Sequence, residues 1–127
     1  MPKSYYLDGS IINAALRGIA YTSPAASYVA LFTTSPTRSG GGVEVTGGSY
    51  ARQAATWSAP TSGRSSNTTD LTFPVATDNW GTITSYALYD APVAGNLLYY
   101  GDLNAPRLIE TNDQMKFPTG QLQVIED

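Results

Sequence analysis

Apolar and polar side chains alternate along much of this chain and predict a series of strands separated by turns. Residues 27–33 are apolar on both faces of a period-two pattern, which is typical of a strand buried on both sides. Residues 82–90 and 97–103 flank a short turn sequence and therefore predict an antiparallel hairpin. Further strands are predicted at 49–58, 65–73, 107–110, 114–117 and 121–125.

The stretch 44–53 places a glycine pair directly before one of these strands. Gly47 and Gly48 tolerate backbone angles with positive φ, so the chain is expected to turn there and then extend. Because a shift of one residue would exchange the two faces of a strand, this turn should set which side chains point inward. We expect strand 49–58 to be central in the sheet, with the glycine-rich connection 34–42 as an exposed loop before it.

The N-terminal region predicts one short helix. Asp8 and Ser10 are possible N-caps, and the apolar residues that follow recur three and four positions apart, a spacing that favours packing of one helix face on the sheet. Residues 1–7 are predicted to be an extended arm that docks on the domain or on a neighbouring subunit. The whole pattern favours a single, mainly β domain: an antiparallel β-sandwich or jelly-roll-like fold at 27–127, with the arm at 1–7 and the helix at 8–21.

The number and distribution of charged residues limit the kinds of partner that this chain is expected to bind. Only 13% of the residues are charged, against 42% hydrophobic, which fits either a surface partly covered by another molecule or a solvated sandwich rich in Thr and Tyr. The net charge is −3 and the basic residues are scattered, so direct nucleic-acid binding is not expected. Neither a signal peptide nor an apolar run of membrane-spanning length is present in the sequence, so no membrane partner is expected.

Candidate chemistry is sparse. The chain has neither cysteine nor histidine, which excludes Cys–His and Ser–His–Asp catalysis and the usual zinc sites. Carboxylates remain as possible acid–base or calcium-binding groups, but they stand at strand ends, where such residues commonly cap turns. The carboxylate pairs considered are Asp70 with Asp78, Asp90 with Asp102, and Glu110 with Asp113. We expect no enzyme activity, no metal and no cofactor.

Aromatic residues on the predicted strands have two interpretations. They could form a platform on which a sugar stacks, or they could pack in the core and in subunit contacts, which is the more common role of strand aromatics. The residues concerned are Trp57, Trp80, Tyr86, Tyr89, Tyr99 and Tyr100.

Two runs of sequence carry a family likeness. The first joins residues 28–36 to 47–53 through the glycine-rich loop, and the second combines 73–77, 80–84, 88–90 and 95–101. With the helical stretch 7–21, they resemble a family of small virion proteins of tailed bacteriophages, often labelled tail-fibre-like; similar small β-rich proteins decorate and cement phage capsids. The resemblance implies a β-rich fold and a place in the virion, and it implies no catalytic residue.

The resemblance leaves two roles open. The short chain, its arm and its low charge favour a head decoration (cement) protein on the capsid surface, binding the major capsid protein, with a homotrimer favoured. A fibre or receptor-binding module is expected to carry a longer attachment segment than the roughly seven residues before the helix. The alternative is a tail-fibre, baseplate-associated or glycan-binding component of the tail, with other virion proteins as partners. The candidate capsid or subunit contacts are Tyr5, Tyr6, Leu7, Arg38, Ser39, Gly40, Gly41, Gly42 and Val43, with Arg52 and Arg64 as candidates for pairing with acidic neighbours.

Overall fold

Long antiparallel strands form the centre of the fold in a computed structural model that describes residues 2–126. Met1, the first residue of the expected arm, and Asp127, the last of the expected domain, lie outside the described residues. In chain order the elements are α1 (Tyr5–Leu16), β1 (Ser27–Thr34), β2 (Val43–Glu44), β3 (Gln53–Ala55), β4 (Arg64–Ser66), β5 (Leu71–Thr72), β6 (Gly81–Tyr89), β7 (Leu97–Ile109), β8 (Lys116–Phe117) and β9 (Gln123–Ile125).

The main sheet is antiparallel and has β1 and β6 at its centre. β6 pairs with β1 on one side and with β7 on the other, so the predicted hairpin is confirmed. The second edge of β1 is shared by two short strands, since β3 pairs with its first half and β2 with its last residues. Opposite Thr84, β7 carries extra residues around 103–106, which produce a bulge between the two paired segments.

The expected central strand at 49–58 is wrong, because only β3 is regular there and it lies at the sheet edge. Gly47, Gly48 and Ser49 all have positive φ, at 73°, 59° and 63°, so the turn extends further than the glycine pair. Tyr50 then turns inward, and its hydroxyl accepts a hydrogen bond from the Leu31 N–H (3.0 Å). The alternation of inward and outward side chains at 49–58 therefore comes from a packed turn more than from a regular strand.

Two short ribbons, β4–β9 and β5–β8, form the layer that packs on one face of the main sheet. Leu71 and Phe117 of the ribbons, with Leu122 directly before β9, join Leu31 and Leu88 of the sheet in one buried cluster. The predicted strand 65–73 is split between the ribbons because the buried side chain of Asn67 bonds the main chain of the turn that precedes β9. The fold class is confirmed as mainly β and antiparallel, with one helix near the N-terminus.

The opposite face of the sheet is covered near Phe32 by loop 35–42. The Ser35 hydroxyl donates to Asp102 on β7 (2.8 Å), and Pro36 is buried. The Arg38 carbonyl accepts the Tyr5 N–H (2.9 Å), which joins the loop to the start of α1. This loop is therefore packed against the sheet and the helix.

Helix α1 begins and ends earlier than the expected range 8–21. Ser4 is the N-cap and accepts the Leu7 N–H (3.1 Å), while the helix ends at Leu16, before Gly18 adopts a φ of 67°. Residues 2–4 run along the free edge of β7, where the Ser4 N–H donates to the Leu98 carbonyl (2.9 Å). The arm is therefore a short edge pairing followed directly by the helix. Within residues 2–126, α1 falls short of the length and apolarity needed to cross a membrane, and the other elements are strands.

Candidate functional site

A cleft of about 360 Å³ lies between the start of α1, loop 38–41 and the turn before β7; we call it the helix–loop cleft. It unites six residues that the sequence suggested as contacts but that come from two separate segments. These are Tyr5, Tyr6, Arg38, Ser39, Gly40 and Gly41. Tyr89 and Leu97 of the main sheet also line it. The cleft exists because loop 35–42 folds back over the sheet and meets the helix.

The cationic wall of the helix–loop cleft is Arg38. Its guanidinium lies 4.7 Å from the centre of the Tyr5 ring and forms an ion pair with Asp8. Lys3 approaches the same carboxylate at 3.9 Å and also forms an ion pair with Glu126, so two cations and two carboxylates balance here. The loop is held in shape by two hydrogen bonds between the main chains of Thr37 and Gly40, at 2.8 and 2.9 Å. This wall can therefore stack on or hydrogen bond to a partner.

Apolar side chains of the helix are exposed beside the cleft. Tyr5 is 62% exposed, Ile12 53% and Leu16 80%, and Ile19, just beyond the helix, is 45% exposed. Their separations of seven, four and three residues match the spacing of a coiled-coil seam, so within α1 they lie along one side; we call the four residues the helix stripe. Of the apolar residues after Asp8 that were expected to pack on the sheet, Ile11 does contact the core, as does Leu7. The expectation is wrong for Ile12, Leu16 and Ile19, which are exposed.

The remaining suggested contact residues lie elsewhere or are buried. Leu7 is only 5% exposed and is part of the core, so it is not available to a partner. Gly42 sits at the tight base of the loop, where a Cβ would stand 2.6 Å from the Thr34 carbonyl oxygen. Val43 is exposed on the edge strand β2, and Arg64 is exposed on β4, away from the helix–loop cleft.

Arg52 is not an exposed cation, because it forms a buried ion pair within its own chain. We call this pair, Arg52 with Glu44, the lock. Its Nε and Nη2 donate to the two carboxylate oxygens of Glu44, both at 2.9 Å, and its side chain is 8% exposed. Its Nη1 donates to the carbonyls of Ala91 (3.0 Å) and Ala94 (2.7 Å), and its guanidinium lies 3.8 Å from the centre of the Tyr89 ring. The acidic neighbour of Arg52 is thus in its own chain, and the pair ties β2 to the turn after β6.

The pKa of Glu44 is lowered in this lock. Burial alone would raise the pKa, but the hydrogen bonds from Arg52 and Tyr50 and the charge of Arg52 outweigh it. The Tyr50 hydroxyl donates to Glu44 at 2.7 Å. The pairing of Glu44 with Arg52 was not predicted from the sequence. The available signal was that these two opposite charges flank the turn at Gly47 and Gly48, which brings the two sides of the turn together.

Five of the six carboxylates considered for catalysis or calcium accept hydrogen bonds from this chain; these are Asp70, Asp78, Asp90, Asp102 and Asp113. Asp90 accepts the Asn96 N–H (2.7 Å) and so closes the turn before β7, and Asp113 accepts the Glu110 N–H (2.8 Å). Asp70 accepts the Thr119 N–H (2.9 Å), and its pKa is lowered by the hydrogen bonds from that threonine. In the part of the chain that the structure describes, no three histidine, cysteine, aspartate or glutamate side chains are grouped as a metal site would require.

Comparison with known proteins adds one finding. The family model described as "Gp80: Podophage GP4 fiber I protein gp80" matches residues 2–125, a span that includes the helix, the helix–loop cleft and every strand. A search of curated proteins found no match.

Proposed function

Because this chain belongs to the Gp80 family, that of the podophage GP4 fiber I protein, we propose that it is a component of a phage tail fibre. It is a phage virion structural protein, in agreement with the resemblance seen in its sequence. The observation that carries the fibre proposal is the match over residues 2–125, and membership of a fibre-protein family favours the tail alternative over head decoration. The decoration role stays a prediction.

The chain would act by contact and not by catalysis. The helix stripe offers apolar surface, and the adjoining cleft offers Tyr5 and Arg38, two residue types that often dominate binding energy. Exposed apolar groups gathered on one surface are typical of a binding site. A partner that covers both features would remove the apolar side chains from water, at about 25 cal/mol per Å² of apolar area, and would keep Arg38 hydrogen bonded.

We further propose that copies of the chain form a homo-oligomer, with a trimer favoured, next to another virion protein of the tail. Few charges occur beside the helix stripe: in residues 5–19, Asp8 is paired with Arg38, and the other charged residue is Arg17, which donates to Asn13. Like charges would therefore oppose a neighbouring copy only weakly. Repetition around a closed symmetry axis would make several weak contacts act together.

Copy number and position in the virion test the fibre proposal. Quantitative mass spectrometry of purified particles, calibrated with labelled peptides of this chain, should give from a few to a few dozen copies per virion. Immunogold labelling should then place the label at the tail. Hundreds of copies with label over the head would refute the fibre role and support decoration.

The proposed contact surface is tested by substitution within the helix stripe. Ile12→Ser should leave the chain folded and reduce its binding to particles that lack it, because it removes exposed apolar area from the stripe. Leu108→Ser is the matched control, since Leu108 is 55% exposed but lies on β7, outside the stripe. Equal retention of the two variants would contradict this surface. Deleting residues 2–7 would be a poorer test because it removes the helix cap and Leu7.

A further inference from the structure

The helix stripe contains a gap at Gly9. This glycine lies four residues after Tyr5 and three before Ile12, so it stands on the same side of α1 as these two exposed side chains. Gly9 is itself exposed, and a Cβ added to it would find nothing within 4 Å beyond its two neighbours and the main chain of α1. Packing within this chain therefore does not require a glycine at this position.

The backbone conformation does not require a glycine here either. Gly9 lies inside α1, whereas Gly18 follows the helix with a φ of 67°, a conformation that favours glycine. Inside a helix, glycine is destabilising relative to alanine because it loses more conformational freedom on folding. A benefit that offsets this cost is the close approach of a second molecule to the bare main chain of α1.

The polar groups around the gap are already engaged within this chain. The carboxylate of Asp8 is ion-paired with Arg38, and the Ser10 hydroxyl donates to the helix main chain (3.0 Å). The Arg17 guanidinium donates to the side chain of Asn13 (2.9 Å). The molecule that suits this side of α1 is therefore apolar and carries little charge.

A second copy of this chain provides such a surface. We propose that α1 of a neighbouring copy packs on the helix stripe, with Gly9 at the point of closest approach. This contact rests on the homo-oligomer proposed above and specifies the element through which the copies meet. The stripe is complementary to itself, because a bulky side chain such as Ile12 of one copy can fill the gap at Gly9 of the next. A pair of copies and a ring of three both allow this contact.

The contact between two helices is small. α1 has 12 residues and is about 18 Å long, whereas a standard interface buries about 800 Å² on each partner. One face of a helix of this length supplies only part of that area. Each contact is therefore weak alone and is strengthened when copies close around a symmetry axis, so self-association should depend steeply on concentration.

Sedimentation equilibrium of the purified full chain tests the role of Gly9. Gly9→Ala should weaken self-association at least about tenfold, because the added methyl group overpacks the point of closest approach. At concentrations where the chain is monomeric, the same change should raise the melting temperature by about 2–4 °C, because alanine favours the helix and meets no other segment. Ser10→Ala is the matched control: Ser10 is turned by about 100° around the helix from Gly9, so association should not change.

Cross-linking locates the contact independently. The chain has no cysteine, so a single introduced thiol reports on its own surroundings. Ile12→Cys, treated with a short bis-maleimide, should give cross-linked copies in high yield. Leu108→Cys should give few, although Leu108 is 55% exposed and Ile12 53%, because Leu108 lies on β7.

Equal association of Gly9→Ala and the wild type, or equal cross-linking of the two cysteine variants, would overturn the proposal. If the chain still forms oligomers in either case, the homo-oligomer stands and the contact through α1 alone fails. A purified chain that stays monomeric, with Gly9→Ala still impaired in binding to particles, would assign the stripe to a different virion protein and would also overturn it. The position in the virion is tested by copy number and labelling, so the fibre role can fail separately.

Discussion

Replacing Arg52 with alanine should strongly destabilise the folded chain, because it opens the lock between β2 and the turn after β6. The substitution removes two hydrogen bonds to Glu44 and two to the carbonyls of Ala91 and Ala94. It also removes the contact of the guanidinium with the Tyr89 ring. Glu44 would then keep its charge beside Tyr50 without a cationic partner.

The size of the effect follows from how buried the pair is. Breaking a buried ion pair by removing one partner costs about 3–5 kcal/mol. Arg52 is 8% exposed but Glu44 is 23% exposed, so water reaches the orphaned carboxylate and the lower end applies, about 3 kcal/mol. At about 4 °C per kcal/mol for a domain of this size, the melting temperature should fall by about 12 °C.

Urea unfolding followed by tryptophan fluorescence measures this loss, with the slope of the transition checked for constancy. Arg52→Lys keeps the charge but not the two-point geometry, so it should retain part of the stability. Arg107→Ala, at an exposed position, should change the free energy of unfolding by less than about 0.5 kcal/mol. A loss below about 1 kcal/mol for Arg52→Ala would refute the lock as a major source of stability.

Two further predictions concern the same region. Because the pKa of Glu44 is lowered in the folded chain, its ionised form adds to the free energy of unfolding. This contribution is complete above the unfolded-state pKa, near 4.3, and is lost as the pH falls through the folded-state pKa. Glu44→Gln should therefore flatten the decline of the urea midpoint in acid, and parallel profiles for variant and wild type would contradict this. Gly48→Ala should cost more stability than Gly47→Ala: both sites have positive φ, but only at Gly48 would the added Cβ lie 2.8 Å from the Trp80 ring nitrogen. Equal melting temperatures of the two variants would argue against that contact.

The sequence by itself determined the long strands and the broad class of protein. Residues 27–33 and 82–90 were predicted almost as β1 and β6 have them, because long apolar runs between turn residues have few other ways to be buried. Tyr5 and Arg38 were named as contact residues from their exposed setting, and the family likeness was visible in the strand and turn pattern.

Only the tertiary structure decided which distant segments meet. Ser4 becomes the helix cap once residues 2–4 pair with β7, a contact that spans most of the chain, so local spacing pointed to Asp8 and Ser10 instead. The helix–loop cleft likewise requires loop 35–42 to fold back onto α1. The local pattern predicts how a side chain is oriented on its own strand or helix. The Ser4 cap, the pairing of Arg52 with Glu44 and the helix–loop cleft depend instead on partners that long-range packing supplies.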